Sequence, residues 1–231
     1  MNKPIIVVLI ALLTLVGCRQ EITSTLYVTD IVDTVSSKKS MTAAAAIKLG
    51  MPSSKSCGEK KEKLTRVISP FFINLEKIQC LKEGSNSFYY GIFELPLLNV
   101  ADDGNLNQDY KGGISAQLSK NKENIDIYLA MKLELVSALD KDLRSEFMAG
   151  GGINPEDMTV KIAINNDDRE PYNLFVEGAF LDGQPIIPRF GQTVKLKRRS
   201  ESVISLANVS LFALTGRGKT SFAYVGSISP Y

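Results

Sequence analysis

Histidine is absent from all 231 residues, and cysteine occurs only three times. Without imidazole, the Ser/His/Asp triad, the commonest general base and every His-bearing zinc site are excluded. Charge of one sign is also lacking: 27 Lys and Arg stand against 25 Asp and Glu, which leaves no electrostatic footprint for nucleic acid. The apolar run at the amino terminus, residues 5–16, is too short to cross a bilayer stably, because a spanning helix needs about 20 apolar residues. With Lys3 in front of it, this run has the size and flank of the apolar segment of a secretory signal, and it stands outside the fold.

The residues directly after the run carry a more specific signal. Leu15-Val16-Gly17-Cys18 resembles the lipobox of bacterial lipoprotein precursors. That resemblance implies a diacylglycerol on the Cys18 sulfur, cleavage just before Cys18 and acylation of the new amino terminus. A membrane-anchor helix, or a secreted protein with a chance cysteine, is the other reading of the same residues. With two or three acyl chains buried at about 0.8 kcal/mol per methylene, attachment would be effectively permanent. Family sorting rules put Asp after the lipidated Cys in lipoproteins retained at the inner membrane. Arg19 stands there instead, which favours the periplasmic face of the outer membrane, with the inner membrane as the alternative. The stretch TSTLYVTDIVDT beside LVGCRQ is also similar to small lipoproteins encoded by enterobacterial prophages and genomic islands. That similarity implies an accessory envelope role, linked to envelope stress or phage defence.

Cleavage after the first 17 residues leaves 214, enough for one large domain or two small ones with genuine cores. We divide the chain into a signal at 1–17, an α+β region at 18–110 and a second α+β region, mostly β, at 111–231. Cys57 and Cys80 are expected to form a structural disulfide in an oxidising compartment, worth about 3 kcal/mol in the chain-entropy model. A redox pair is the alternative, but redox cysteines usually stand two residues apart.

The expected fold class is α+β, a mainly antiparallel sheet with a few short helices. EITSTLYVTDIVDTV reads as a strand, SSKKSMTAAAAIKLG as a short helix, and GEKKEKLTRVIS as a charged helical turn. FFINLEKIQC and SFYYGIFELPLL read as strands around the turn KEGSN. NVADDGNLNQDYKGG is the strongest loop signal. The period-two segment NIDIYLAMKLEL is a half-buried strand, followed by the helix SALDKDLRSEFMAGGG with Ser137 as a cap and Leu139, Leu143 and Phe147 on one face. Strands MTVKIAIN, NLFVEGAF, GQTVKLKR, SVISLANVSLFAL and TSFAYVGS complete the chain. The two halves align as two similar β-α-β-β units; a single sheet with covering helices is the alternative.

Several residue groups invite a chemical reading. ALTGRGKT, residues 213–220, fits a loose phosphate loop, but such a loop needs a strand before it and a helix after it. We read it as a Gly-containing turn between two strands, in a compartment without a useful ATP pool, and expect no nucleotide. Asp103, Asn105, Asn107 and Asp109 partly match the start of a calcium loop, though Gln108 stands where the sharp turn wants Gly and Ile114 where the bidentate Glu would be. Ordinary loop composition explains the same residues. No other cofactor is expected beyond the covalent lipid. Lys195, Lys197, Arg198 and Arg199, with Arg217 and Lys219, could meet anionic lipid, or could protect a solvated sheet edge. Glu94, Glu134, Asp157 and Glu177 supply carboxylates but no evident pair, and Ser115 has no nucleophile elbow around it.

Phe88, Tyr89, Tyr90 and Phe93 form an aromatic cluster, of which alternation should bury about half. The function expected is a lipid-anchored, non-enzymatic module that docks an envelope protein or polymer. A hydrolase with paired carboxylates and a purely structural lipoprotein are the alternatives.

Overall fold

A computed structural model of the chain describes residues 19–100, 110–147, 152–216 and 221–231. Strand β1 (Gln20–Tyr27) leads into helix α1 (Val28–Ser37), and then come β2 (Met41–Met51) and α2 (Ser54–Ile68). The hairpin β3 (Ile73–Glu83) and β4 (Asn86–Asn99) is followed by a second, β5 (Ile114–Asn121) and β6 (Asn124–Met131). Helix α3 (Leu133–Phe147) and a 3-10 turn, Pro155–Asp157, lead to β7 (Met158–Asn165), β8 (Tyr172–Val176), β9 (Ala179–Leu181) and β10 (Gln184–Pro185). The chain closes with β11 (Gln192–Leu196), β12 (Glu201–Leu206), α4 (Asn208–Leu214) and β13 (Phe222–Pro230).

These strands join in one sheet of thirteen, in the order β10-β9-β12-β7-β1-β2-β4-β5-β6-β13-β8-β11, with β3 on β4. The sheet is mixed, which corrects the expectation of a mainly antiparallel sheet with a few helices. β1 pairs parallel with β7 along its full length, and β4 pairs parallel with β5 at Leu97–Asn99. Parallel neighbours need a long crossover, so β1 meets a partner more than 130 residues away, and no local pattern announces its direction. The fourteen-residue β4 shares one edge between β3 and β5. The strands at the two ends of the order, β10 and β11, are consecutive in the chain, so the sheet curls until a six-residue connection, 186–191, links its edges.

The proposed pair of β-α-β-β units gives way to this one mixed sheet, and the strand expected over EITSTLYVTDIVDTV ends at Tyr27. Val28–Ser37 is helical because Val28, Ile31 and Val35 fall on one buried stripe, and Lys38 ends the helix in a left-handed conformation at φ 55°. Its amino terminus is capped from afar: the Thr29 N–H donates to Asp167 Oδ1 at 3.0 Å and the Thr29 hydroxyl to Asp167 Oδ2. The alanine run expected as a helix is β2 instead. Between β1 and β4 it buries Ala43, Ala45 and Ile47 and turns Thr42, Ala44, Ala46 and Lys48 outward, so pairing on both edges overrides the helix propensity of alanine. SVISLANVSLFAL is also two elements, because Asn208–Leu214 is helical and buries Leu211 and Leu214. The segment 213–220, expected as a turn between two strands, therefore begins in the last residues of this helix, and residues 217–220 lie outside the described residues.

The inner face of the sheet and the helices share one core. α2 buries Cys57, Leu64 and Ile68, and α3 buries Val136, Leu139 and Leu143. The expected cap Ser137 lies inside α3, which begins four residues earlier. Ser53 caps α2 by accepting from the Ser56 N–H at 3.0 Å. The Cys57–Cys80 disulfide pins α2 to β3, and Tyr89 and Thr65 share a hydroxyl hydrogen bond of 2.9 Å.

Candidate functional site

Alternation along β7, β1, β2 and β4 sends every second residue away from the helices. Pairing then aligns these residues in a transverse row. Ser205 pairs with Lys161, Lys161 with Thr23, Thr23 with Ala46, Ala46 with Ile92, and Ile92 with Glu76. The small side chains Thr23, Thr25, Ala44, Ala46 and Ala163 leave an open groove of about 380 Å³, with Tyr90 and Ile92 on one bank and Lys161 and Val203 on the other. Lys161 Nζ donates to Glu21 Oε1 at 2.9 Å, which neutralises this bank cation locally, and Lys48, which pairs with Tyr90, donates through Nζ to Glu83 Oε1 at 2.7 Å. The hydrogen bond to Glu83 is the main reason the Lys48 ammonium holds its proton above the usual lysine range.

A second recess of about 640 Å³ adjoins the groove and shares Ala44 and Ile92 with it. It exists because β3 is bulged twice against β4, between Ile73 and Glu76 and again between Glu76 and Gln79, with Asn74 and Lys77 both at φ 49°. Glu76 and Glu94 both line this recess. The interior cavity between the sheet and α2 and α3 is far smaller, about 40 Å³, and its walls are core residues such as Ile22, Ile47, Phe72 and Leu139.

The residues singled out in the sequence are dispersed. Cys18 and the calcium-loop residues Asp103, Asn105, Asn107 and Asp109 lie outside the described residues. Cys57 and Cys80 are bonded, with Cα atoms 6.0 Å apart. Tyr89 and Phe93 are fully buried, whereas Phe88 and Tyr90 are only half-buried, so alternation divides the aromatic cluster evenly. Of the four carboxylates, Glu94 lines the recess; Glu134 is on α3, Asp157 accepts from Asn154 Nδ2 at 2.7 Å, and Glu177 is exposed between β8 and β9. Ser115 is buried and accepts from Gln117 Nε2 at 3.2 Å.

Lys195 stands over the Tyr231 ring, and Lys197, Arg198 and Arg199 form the exposed turn between β11 and β12. That turn lies at the end of the sheet opposite Gln20. Glu201 pairs with Asn165, which pairs with Tyr27 at the finish of β1, about 23 Å along the strand from its start.

Sequence reasoning missed Thr23, Ala46, Lys161 and Glu76, because the groove is created by register among distant strands and the recess by bulges on non-glycine residues. Among the described residues no helix is long and apolar enough to cross a membrane.

No curated protein matches the chain. Among solved structures, the folded domain of LppM from Mycobacterium tuberculosis, determined by NMR, is 10% identical, with 82% of this chain and 89% of that chain covered and a TM-score of 0.28. A score that low carries no argument about fold or function. Residues 20–229 match the model described as domain of unknown function DUF7424, and the chain belongs to that family.

Proposed function

We propose that the protein is a lipid-anchored envelope lipoprotein, facing the periplasm from the outer membrane, and that it binds rather than catalyses. The anchor is supported by the resemblance of Leu15–Cys18 to a lipobox and by the signal-like apolar run before it. The observation that carries the binding role is the small-residue groove, open to solvent and bordered by Tyr90, Ile92 and Lys161. A floor of Thr and Ala lets the backbone of an extended peptide or polymer approach the sheet, and a half-buried tyrosine offers a flat contact beside it. The ligand class proposed is an extended segment of an envelope protein or an envelope polymer.

Site-specific photo-crosslinking in cells tests this. A photoreactive side chain at Tyr90 should capture one discrete species, and Ala46→Arg, which fills the groove, should abolish the capture. The same probe at Tyr128, on the outward face of β6, should not capture it. Equal capture from both positions, or none from Tyr90 in a folded, membrane-attached protein, would rule out the groove as the contact surface. Cys18→Ala should leave an unprocessed precursor.

Glu76 and Glu94 in one recess favour a second reading, a hydrolase with paired carboxylates. Release of soluble fragments from cell-wall polymer by the purified protein, lost in Glu94→Gln, would replace binding with catalysis.

A further inference from the structure

The turn between β10 and β11 presents apolar side chains to water. Ile187-Pro188-Arg189-Phe190 is closed by the Phe190 N–H donating to Ile187 O at 3.4 Å, with Pro188 in the second position and Arg189 at φ 82° in the third, as in a type II turn. Ile187 is 66% exposed and Phe190 82%. Val209, at the start of α4, is 75% exposed. The only other large hydrophobic among the described residues exposed to this degree is Tyr231, at 70%, and its ring is covered by the Lys195 ammonium.

Register places the three apolar side chains together at one end of the sheet. The Ile186 N–H donates to Ala179 O, and Ala179 pairs with Leu206, two residues before α4. β12 runs antiparallel to β7, so Leu206 finishes beside the start of β7, where Met158 pairs with Gln20. The turn, the first residues of α4 and the start of β1 therefore share one end. Between β10 and β1 lie four strand spacings, about 19 Å along the curved sheet. Cys18 is two residues before Gln20, a reach of at most about 7 Å.

We infer that this end of the sheet rests on the bilayer, with Ile187, Phe190 and Val209 in the interfacial layer and Arg189 among the phosphates. The inference rests on the lipid anchor proposed at Cys18. The occupant is the membrane because the anchor would bring it within reach of this end. An apolar pair flanking an arginine also has the chemistry of a segment that inserts at the boundary between headgroups and acyl chains. The basic turn Lys197–Arg199 is held at the opposite end, farther from the surface than a Debye length of about 10 Å, so it faces the periplasm. The groove then stands on the flank of the body, open to ligands in the periplasmic space.

The chain contains no tryptophan, so one introduced residue reports alone. Full-length Phe190→Trp, Val209→Trp and Tyr231→Trp proteins, purified with their acyl groups, are inserted into vesicles of phosphatidylethanolamine and phosphatidylglycerol, with or without bromine on the lipid acyl chains. The reporters at positions 190 and 209 should shift to the blue and be quenched by the brominated lipid, while the reporter at 231 should be unaffected. Lipidated protein that floats with the vesicles but shows no more quenching at 190 and 209 than at 231 overturns the inference and leaves the anchor standing. Protein whose intact mass shows no acyl groups, and which does not float, overturns the anchor and the inference together.

Discussion

The two ends of the curled sheet are held by different means. At the end where β1 begins, a covalent bond does the tying: Cys80 pairs with Tyr89, which pairs with Leu49, so the disulfide fastens α2 close to the start of β1. Nearby, the β10–β11 turn leaves Ile187 and Phe190 in water and the start of α4 leaves Val209 there. At the other end, side chains hold the loops. Asn166, wholly buried, donates through Nδ2 to Leu196 O and Glu170 O, both at 2.9 Å, and accepts from the Asp168 N–H at 3.1 Å. Asp167 caps α1, and Asp168 accepts from the Tyr172 hydroxyl at 3.0 Å. The polar end is self-sufficient, whereas the apolar end has contact surface to spare. On the proposed reading, this difference separates an end held by its own polar contacts from one that meets the membrane surface.

Removing the covalent tie should have the largest effect. The Cys57→Ser/Cys80→Ser protein is expected to lose about 3 kcal/mol in urea denaturation, from the unfolded-state freedom of the loop between positions 57 and 80. Asn166→Ala, at the opposite end, should cost about 2 kcal/mol by the same measurement, because it leaves the buried Leu196 carbonyl, the Glu170 carbonyl and the Asp168 amide without this partner.

Alkali should act on the polar end next. Desolvation, and then the bond to Asp168, push the Tyr172 hydroxyl up to about 12. Its folded-state proton is therefore held more tightly than in the unfolded chain, whose tyrosines titrate near pH 10. The stability this contributes is complete below about pH 10 and is lost as pH rises towards about 12. Tyr172→Phe should flatten that part of the pH profile, and the remaining fall should come from Tyr224, which burial also raises to about 12, and from Tyr89, Tyr110 and Tyr128, which burial raises as well. Ile187→Ser/Phe190→Ser should change stability least, within about 0.5 kcal/mol, since both side chains are already in water. A large loss there would mean that the turn is packed in the free protein, and the contrast between the ends would disappear.

Legibility in the sequence depends on how local each feature is. The β3–β4 hairpin, the alternation of β6, the Cys57–Cys80 bond and the division of the aromatic cluster are fixed by neighbours within a few dozen residues. The helix α1 is composed largely of β-branched residues, and the alanines of β2 favour helix, so both depart from local propensity because of what packs beside them. The parallel pairing of β1 with β7 and the row from Lys161 to Glu76 depend on strands far apart in the chain. For this reason no local pattern marks the groove, although each of its residues is ordinary for its strand.

The central claim is that the protein acts from a lipid anchor placed directly before β1. Mass spectrometry of the amino-terminal peptide from cell envelopes tests it most directly. The expected result is a mature chain that begins at Cys18 and carries a diacylglycerol with an acylated amine. A chain that retains Met1, or one cleaved elsewhere with Cys18 unmodified, would contradict it.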